Sequence, residues 1–335
     1  MGEKELTPSQ SMIRLVMGFI PARAIYVAAK LGITDLMATG SLSAQELAQN
    51  VDVDVGALYR VLRILAGIGV LHESDDHRFS LTPLGETLRR DSTQSVRDYV
   101  LLFHEIHYKN LVNTMHSVRT GEPAFAETFG KPFFQFLQSN PDASGIFQAG
   151  LASRARIDIA VLLEAYDFSD ARQIVDVGGG SGALLSAILT RFDNVTGVLF
   201  DLAPAIEAAK SGLGGPLPRC EFIVGDFFEE VASGADIYIL KLVLHDWSDQ
   251  DAIKILQRCR AAMTNGNRLL VIEGLIGSPN DPSPTHLMDV VMLVTFAGVE
   301  RTEGEYTAVM EQAGFRLERT IPTKSDLYVL EAFPV

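Results

Sequence analysis

His245, set in Lys241-Leu242-Val243-Leu244-His245-Asp246-Trp247, is the residue best suited to move a proton. An imidazole with a reference pKa of about 6.5 can take the proton of a phenol-like hydroxyl near neutral pH, helped by a carboxylate that fixes its tautomer. The same side chain, alone at a strand end, can equally be a hydrogen-bonded core residue. The second chemically suggestive group is Val175-Asp176-Val177-Gly178-Gly179-Gly180-Ser181-Gly182. Gly178, Gly180 and Gly182 give a G-x-G-x-G spacing, which lets the backbone turn tightly and approach a ligand where a Cβ would clash. The dinucleotide fingerprint, G-x-G-x-x-G, holds a pyrophosphate and has its third glycine one residue later. The earlier glycine suits a ligand with a ribose and an amino-acid tail; a glycine turn without ligand is the plain alternative.

These groups need elements to position them. Residues 173–175 are a short apolar run fit for a buried parallel strand, and 183–189 open a helix, so the glycine run is the turn of a strand-loop-helix unit. Further strands are predicted over 195–200, 220–225, 235–240 and 267–272. Asp201 ends the first of these, placed to bind ribose hydroxyls. Asp226 ends the next and can accept from an exocyclic amine, with Phe227 beside it to flank a purine; Lys241 and then His245 follow the third, and Glu273 the last. Open α/β sheets bind ligands at the carboxyl ends of their strands, so this ordered set points to a nucleoside site. Singly, each acid can be a turn residue or a helix cap, Asp246 near Ser248 and Asp249 among them. Residues 315–321 and 327–332 predict a hairpin that completes the sheet with one antiparallel strand.

In this order VDVGGGSG, FDLAP, VGDFF, LKLVLHDWSD and GVERT resemble the S-adenosylmethionine-dependent O-methyltransferases of the plant caffeate and hydroxyindole type, in their bacterial small-molecule branch. The resemblance covers nearly the whole chain. It implies an α/β fold with a doubly wound class I methyltransferase sheet, preceded by an N-terminal all-helical or winged-helix dimerisation domain. It also implies S-adenosylmethionine as donor, S-adenosylhomocysteine as product and no metal. Carried over residue by residue, it assigns Gly178, Gly180, Asp201, Asp226, Phe227 and Lys241 to the donor, and His245 to the base, flanked by Glu273 and Glu300. Phe147 and Leu151 match positions near donor and acceptor, Met288 and Met292 match methionines that sandwich an aromatic ring, and Asp246 can add a substrate contact. The acceptor implied is a phenol or enol on a small, flat, aromatic secondary metabolite. The sequence departs from the plant pattern at Thr295-Phe296-Ala297, where plant members carry a substrate-orienting asparagine, and in a short loop before Met288, so plant phenylpropanoid specificity does not carry over.

Composition narrows the field. The 335 residues, 47% hydrophobic and 21% charged, have room for two globular domains. A net charge of −14 opposes a nucleic-acid or anionic-membrane partner. The acidic start Met1-Gly2-Glu3-Lys4-Glu5 has no apolar signal region, and apolar runs such as 290–294 are too short to span a membrane. Cys220 and Cys259, far apart and without metal spacing, read as reduced thiols of a cytoplasmic protein.

The first third reads as helical. Met12, Leu15, Val16, Phe19 and Ile20 make an apolar stripe wide enough to pack on something. Ser43 and Glu46 form a capping box, Asp54 caps a longer helix, and 70–72 with 78–81 form a hairpin, together a winged-helix pattern. That pattern raises a DNA-binding regulator, yet residues 1–95 hold nine Lys and Arg against eleven Asp and Glu. In the family it resembles, this module makes a homodimer and closes the neighbouring active site. Residues 96–165 read as a helical connector contributing to the substrate pocket, its aromatic rings either helix-packing core or the wall of a pocket for a flat acceptor. His104 in the run HEIH lacks H-E-x-x-H metal spacing and is instead a candidate for the acceptor pocket. The domains expected are 1–95 for dimerisation, 96–165 for the connector and 166–335 for S-adenosylmethionine. C- or N-methylation, or non-methylating hydroxylation or decarboxylation on the same fold, are the alternatives to O-methylation.

Overall fold

The computed structural model describes residues 6–212, 217–296 and 298–335. The acidic start at Met1 to Glu5 and Ala297, both used above, lie outside the described residues. The chain forms two compact units: Met1–Tyr108 with Pro141–Arg154, and Lys109–Asn140 with Ala155–Val335. Residues 96–165, expected as one connector, are divided between them. Arg97 Nε donates to the Ala29 carbonyl at 3.0 Å in the first unit, whereas Asn110 Nδ2 donates to the Val294 carbonyl at 2.8 Å in the second. The change of unit at Arg154 falls inside the 25-residue helix Pro141–Ala165, where no turn residue marks it.

In the first unit the local signals act as read. Ser43 Oγ accepts from the Glu46 N–H at 3.2 Å and Glu46 Oε2 accepts from the Ser43 N–H at 2.6 Å, opening the helix Ala44–Val51. Asp54 Oδ1 accepts from the Ala57 N–H at 2.7 Å and opens Val55–Gly67, whose Leu58, Leu62 and Leu65 bury one face in a core shared with Ile33, Leu47 and Phe79. Strands β1 (Leu42–Ser43), β2 (Leu71–Glu73) and β3 (Arg78–Leu81) lie in the order β1-β3-β2 as the wing. The N-terminal stripe is not one helix. Met17 and Gly18 part Pro8–Val16 from Phe19–Leu31, glycine being a poor helix former, and Met12, Leu15 and Val16 remain 60%, 74% and 66% exposed. By length and composition Pro8–Leu31 is also long and apolar enough to cross a bilayer, which unbroken apolar runs do not reveal; Arg14, Arg23 and Lys30 lie within it.

The second unit is built on β4 (Gln173–Val177), β5 (Thr196–Asp201), β6 (Cys220–Val224), β7 (Ile237–Lys241), β8 (Arg268–Gly274), β9 (Phe315–Pro322) and β10 (Leu327–Pro334), in the order β6-β5-β4-β7-β8-β10-β9. The first five pair in parallel and only β10 runs against its neighbours. Alternate residues of β7 show why the middle strands are apolar throughout. Tyr238 and Leu240 join the core with Ile255, Leu256 and Met310, while Ile237 and Ile239 join the other with Leu185, Ile188 and Leu162, so helices cover both faces. Because β5 and β7 flank β4 on opposite sides, the strand order reverses at β4. The glycine loop stands at that switch point, where open sheets bind ligands.

Leu62, fully buried, should cost about 2–5 kcal/mol when cut to alanine, seen as a lower urea midpoint. Leu287→Ala, at a residue 75% exposed, should stay within about 0.5 kcal/mol of the parent.

Candidate active site

The glycine loop is held in a conformation that side chains resist. Gly178, Gly180 and Gly182 have φ of +68°, +57° and +71°. A Cβ on Gly178 would lie 3.1 Å from Val243 Cγ2 and 3.4 Å from Phe227 Cε1; one on Gly179 would lie 2.5 Å from Leu199 Cδ1. Asp201, at the end of β5, ties the loop down: Oδ2 accepts from the Gly180 N–H at 2.8 Å and Oδ1 from the Leu202 N–H at 2.7 Å. Burial raises its carboxyl, and those two N–H groups work the other way. Each of its oxygens keeps a second lone pair for a ligand. Asp226 Oδ1 accepts from the Phe228 N–H at 2.9 Å, and the Phe227 ring meets Phe228 and Trp247 edge to face at centroid distances of 5.1 and 6.1 Å.

Asp176, Gly178, Gly179, Ser181, Ile159 and Lys241 are among the residues lining a cleft beside this loop. Two acids here had not been singled out. Asp158, fully buried on the helix Pro141–Ala165, has Oδ2 3.8 Å from Lys241 Nζ. Asp176 is 2% exposed, and burial pushes its carboxyl up to about 7, with Lys241 lowering it and Asp201 raising it. An acid set among apolar residues of a strand or a helix, as Asp176 between Val175 and Val177 and Asp158 between Ile157 and Ile159, is the signal that could have found both.

Beyond β7 the chain turns sharply. Leu242 has φ of +52°, unusual for a branched side chain, and a short 3₁₀ turn, Leu244–Asp246, carries His245, which is 8% exposed. Nδ1 of His245 donates to Glu300 Oε1 at 2.8 Å. Glu273 Oε2 lies farther off, 3.8 Å from Nδ1, because Oε1 of that carboxylate accepts from the Val243 and Leu244 N–H groups at 3.0 and 2.8 Å. Of the two acids expected beside the imidazole, Glu300 therefore makes the hydrogen bond and Glu273 grips the backbone of the turn. Asp246 Oδ1 stands 3.6 Å from Nε2. Burial opposes the imidazolium, but the charges of Glu273, Asp246 and Glu300 outweigh it and raise His245 to about 10. Burial raises Glu273 to about 7 and moves Asp246 upward as well.

The residues expected to meet the acceptor are divided between the two units. On the helix Pro284–Thr295, Met288 and Met292 lie four apart on one face, and the neighbouring Asp289 accepts from the Glu300 N–H at 3.0 Å. Thr295 Oγ1 accepts from Asn110 Nδ2 at 3.3 Å, and Phe296 meets Phe133 at 4.7 Å within a cluster that takes in Phe125, Phe129 and Phe136. Those connector rings are thus packed on one another. His104, Phe147 and Leu151 belong to the first unit. The His104 ring is stacked with Tyr26 at 5.1 Å and Tyr108 at 5.8 Å, and its Nδ1 faces the Val100 carbonyl at 3.0 Å. Among the described residues no group of three His, Cys, Asp or Glu side chains could hold a metal ion.

Comparison with known proteins identifies the family. A family model for an O-methyltransferase domain matches residues 108–316, and one for an O-methyltransferase dimerisation domain matches 13–91. The chain is 38% identical to a phenazine O-methyltransferase of Lysobacter antibioticus, over 98% of this chain and 96% of that protein. It is 31% identical to a phenazine-1-carboxylate N-methyltransferase of Pseudomonas aeruginosa, over 96% of each. The crystal structure of human N-acetylserotonin methyltransferase in complex with S-adenosylmethionine superposes with a TM-score of 0.92 at 27% identity, covering 100% of this chain and 99% of that one.

The raised imidazole has a consequence for stability. With an unfolded value of 6.5 and a folded value of about 10, His245 contributes stability that is fully present below pH 6.5 and lost as the pH rises towards 10. Urea unfolding should therefore show stability falling across that window, and Glu300→Gln, which removes the charge facing Nδ1, should flatten the slope.

Proposed function

Because the chain belongs to the S-adenosylmethionine-dependent O-methyltransferase family, whose relatives methylate small secondary metabolites, we propose that it methylates a phenolic or enolic hydroxyl of a small aromatic metabolite, with His245 as general base. The observation that carries this reading is the His245–Glu300 pair, buried on the same sheet edge as the glycine loop. The loop suits the donor, since its left-handed glycines present bare backbone that a ligand can approach closely. Gly178 and Gly180 would present backbone to the donor, Asp201 would take its ribose hydroxyls, Asp226 and Phe227 its adenine, and Lys241 its amino-acid end. When bound, S-adenosylmethionine supplies an electrophilic methyl group and leaves as S-adenosylhomocysteine.

The protein's own part is to hold the acceptor in line and manage its proton. Holding reactants in line can be worth about 7–11 kcal/mol. With Nδ1–H committed to Glu300, Nε2 is the nitrogen that can receive the acceptor's proton, and the imidazolium then formed lies among three carboxylates that stabilise it. The charges of Glu273, Asp246 and Glu300 raise the imidazole against the effect of burial, and so favour the imidazolium that proton transfer would leave. Asp246, 3.6 Å from Nε2, must share that nitrogen with the acceptor. Met288 and Met292 would clasp the acceptor ring. The enzyme would work as a homodimer through residues 13–91, on a diffusible metabolite in the cytoplasm.

A second reading is N-methylation, favoured by the N-methyltransferase relative; a nitrogen with a free lone pair need lose no proton before it attacks the methyl group. The test is transfer of isotope-labelled methyl to a panel of phenols, enols and aromatic amines, with products fragmented to locate the label. O-methylation with His245 as base predicts that His245→Ala loses about 10²–10⁴ in kcat while donor Kd is nearly unchanged. Label on nitrogen with full turnover in that variant selects the second reading. Asp201→Ala should instead weaken donor binding, and an unchanged Kd by calorimetry removes Asp201 from the ribose role.

A further inference from the structure

We propose that Arg301 is a positioning residue for His245, an inference that rests on the general-base reading above. Arg301 is 1% exposed, and its guanidinium is spent on the turn that carries the histidine. Nη1 donates to the Leu244 carbonyl at 3.0 Å and the Val299 carbonyl at 3.3 Å, and Nη2 to the Trp247 carbonyl at 2.8 Å. Nε reaches Asp249 Oδ1 at 2.9 Å, with Nη2 2.8 Å from the same oxygen. The bonded carbonyls lie one residue before His245, two residues after it, and one residue before Glu300. One buried cation thus brackets both members of the hydrogen-bonded pair.

The backbone around it leaves little freedom. The Val299 N–H donates to the His245 carbonyl at 2.9 Å. A Cβ on Gly298 would lie 2.2 Å from that same carbonyl oxygen, so the segment 298–301 presses main chain to main chain against the turn. From the other side Glu273 Oε1 holds the Val243 and Leu244 N–H groups. Arg301 thus takes the carbonyls of the turn and Glu273 its N–H groups. A guanidinium can do this because its donors form a rigid planar fork, and it is kept buried because those donors find oxygen partners. Lysine carries the same charge at one point and cannot span carbonyls on both sides of the histidine. The geometry assigns Arg301 no contact with substrate. It acts through His245, by setting where Nε2 points.

Arg301→Lys tests this with four readouts: kcat and acceptor KM for methyl transfer, donor Kd by calorimetry, and the ¹⁵N titration of the His245 imidazole by NMR in the free protein. The expected result is a loss of about 10–100-fold in kcat, acceptor KM within about threefold, donor Kd within about twofold, and a displaced His245 titration. An unchanged kcat with an unchanged titration overturns the proposal, as does a fall in donor affinity as large as the fall in kcat, which marks general loosening of the fold. If Arg301→Lys does not fold, Asp249→Asn removes one arm of the clamp at a side chain 69% exposed. It should lower kcat several-fold and shift the His245 titration with donor Kd unchanged, and no change in either overturns the proposal. The NMR readout keeps the two readings apart: if His245→Ala retains full turnover the base assignment fails, while a His245 titration displaced by Arg301→Lys still supports the clamp.

Discussion

The 2.8 Å approach of His245 Nδ1 to Glu300 Oε1, in a place nearly closed to water, is the constraint to which the surrounding structure answers. A carboxylate taken out of water without partners would pick up a proton, and a lone buried imidazolium would lose its own. Each member of the group is therefore given something to hold. Glu300 has the imidazole, Glu273 has two backbone N–H groups, and Asp246 lies within electrostatic reach of Nε2. The balance is uneven, three acids to one base, and this is why the imidazole is raised although burial opposes its charge.

The same sheet sets the distance between this group and the donor loop. Adjacent strands lie about 4.8 Å apart, and β4 and β7 are adjacent, so the loops leaving their carboxyl ends must touch. They do so where a Cβ on Gly178 would meet Val243, one residue from the turn that carries His245. The glycine is needed for the left-handed turn and equally for the room it leaves the neighbouring loop. Binding and chemistry are brought together by strand order, with no residue having to reach across the molecule.

Much of this was legible because strands end where polar residues begin. The boundary at Asp201, the glycine turn, the capping box at Ser43 and the single antiparallel strand all follow from local pattern and recur in the structure. Choices made by side-chain direction were not legible. Glu273 and Glu300 look alike in sequence, and only the path of each side chain decides that one faces the imidazole and the other the backbone. Asp158 and Asp176 sit among apolar neighbours as single letters, and Arg301 looks like any arginine beside an acid until the carbonyls around it are seen. The division of 96–165 escaped because the change of unit occurs within an unbroken helix, and the break in the N-terminal stripe turned on one glycine, Gly18.

Strand β10 lies between β8 and β9 and pairs residue for residue with β8, Leu327 opposite Gly274 and Tyr328 opposite Glu273. On a ribosome these two strands do not emerge together. From the time β8 is made until Leu327–Pro334 follows, an apolar strand has one open edge, the kind of edge on which chains add to one another. Glu273 is paired across that edge, so the acid that grips the His245 turn belongs to a strand whose pairing is completed late in synthesis. A nascent chain can have its glycine loop in place while the strand behind its histidine is still exposed, and that interval is the one a chaperone would have to cover.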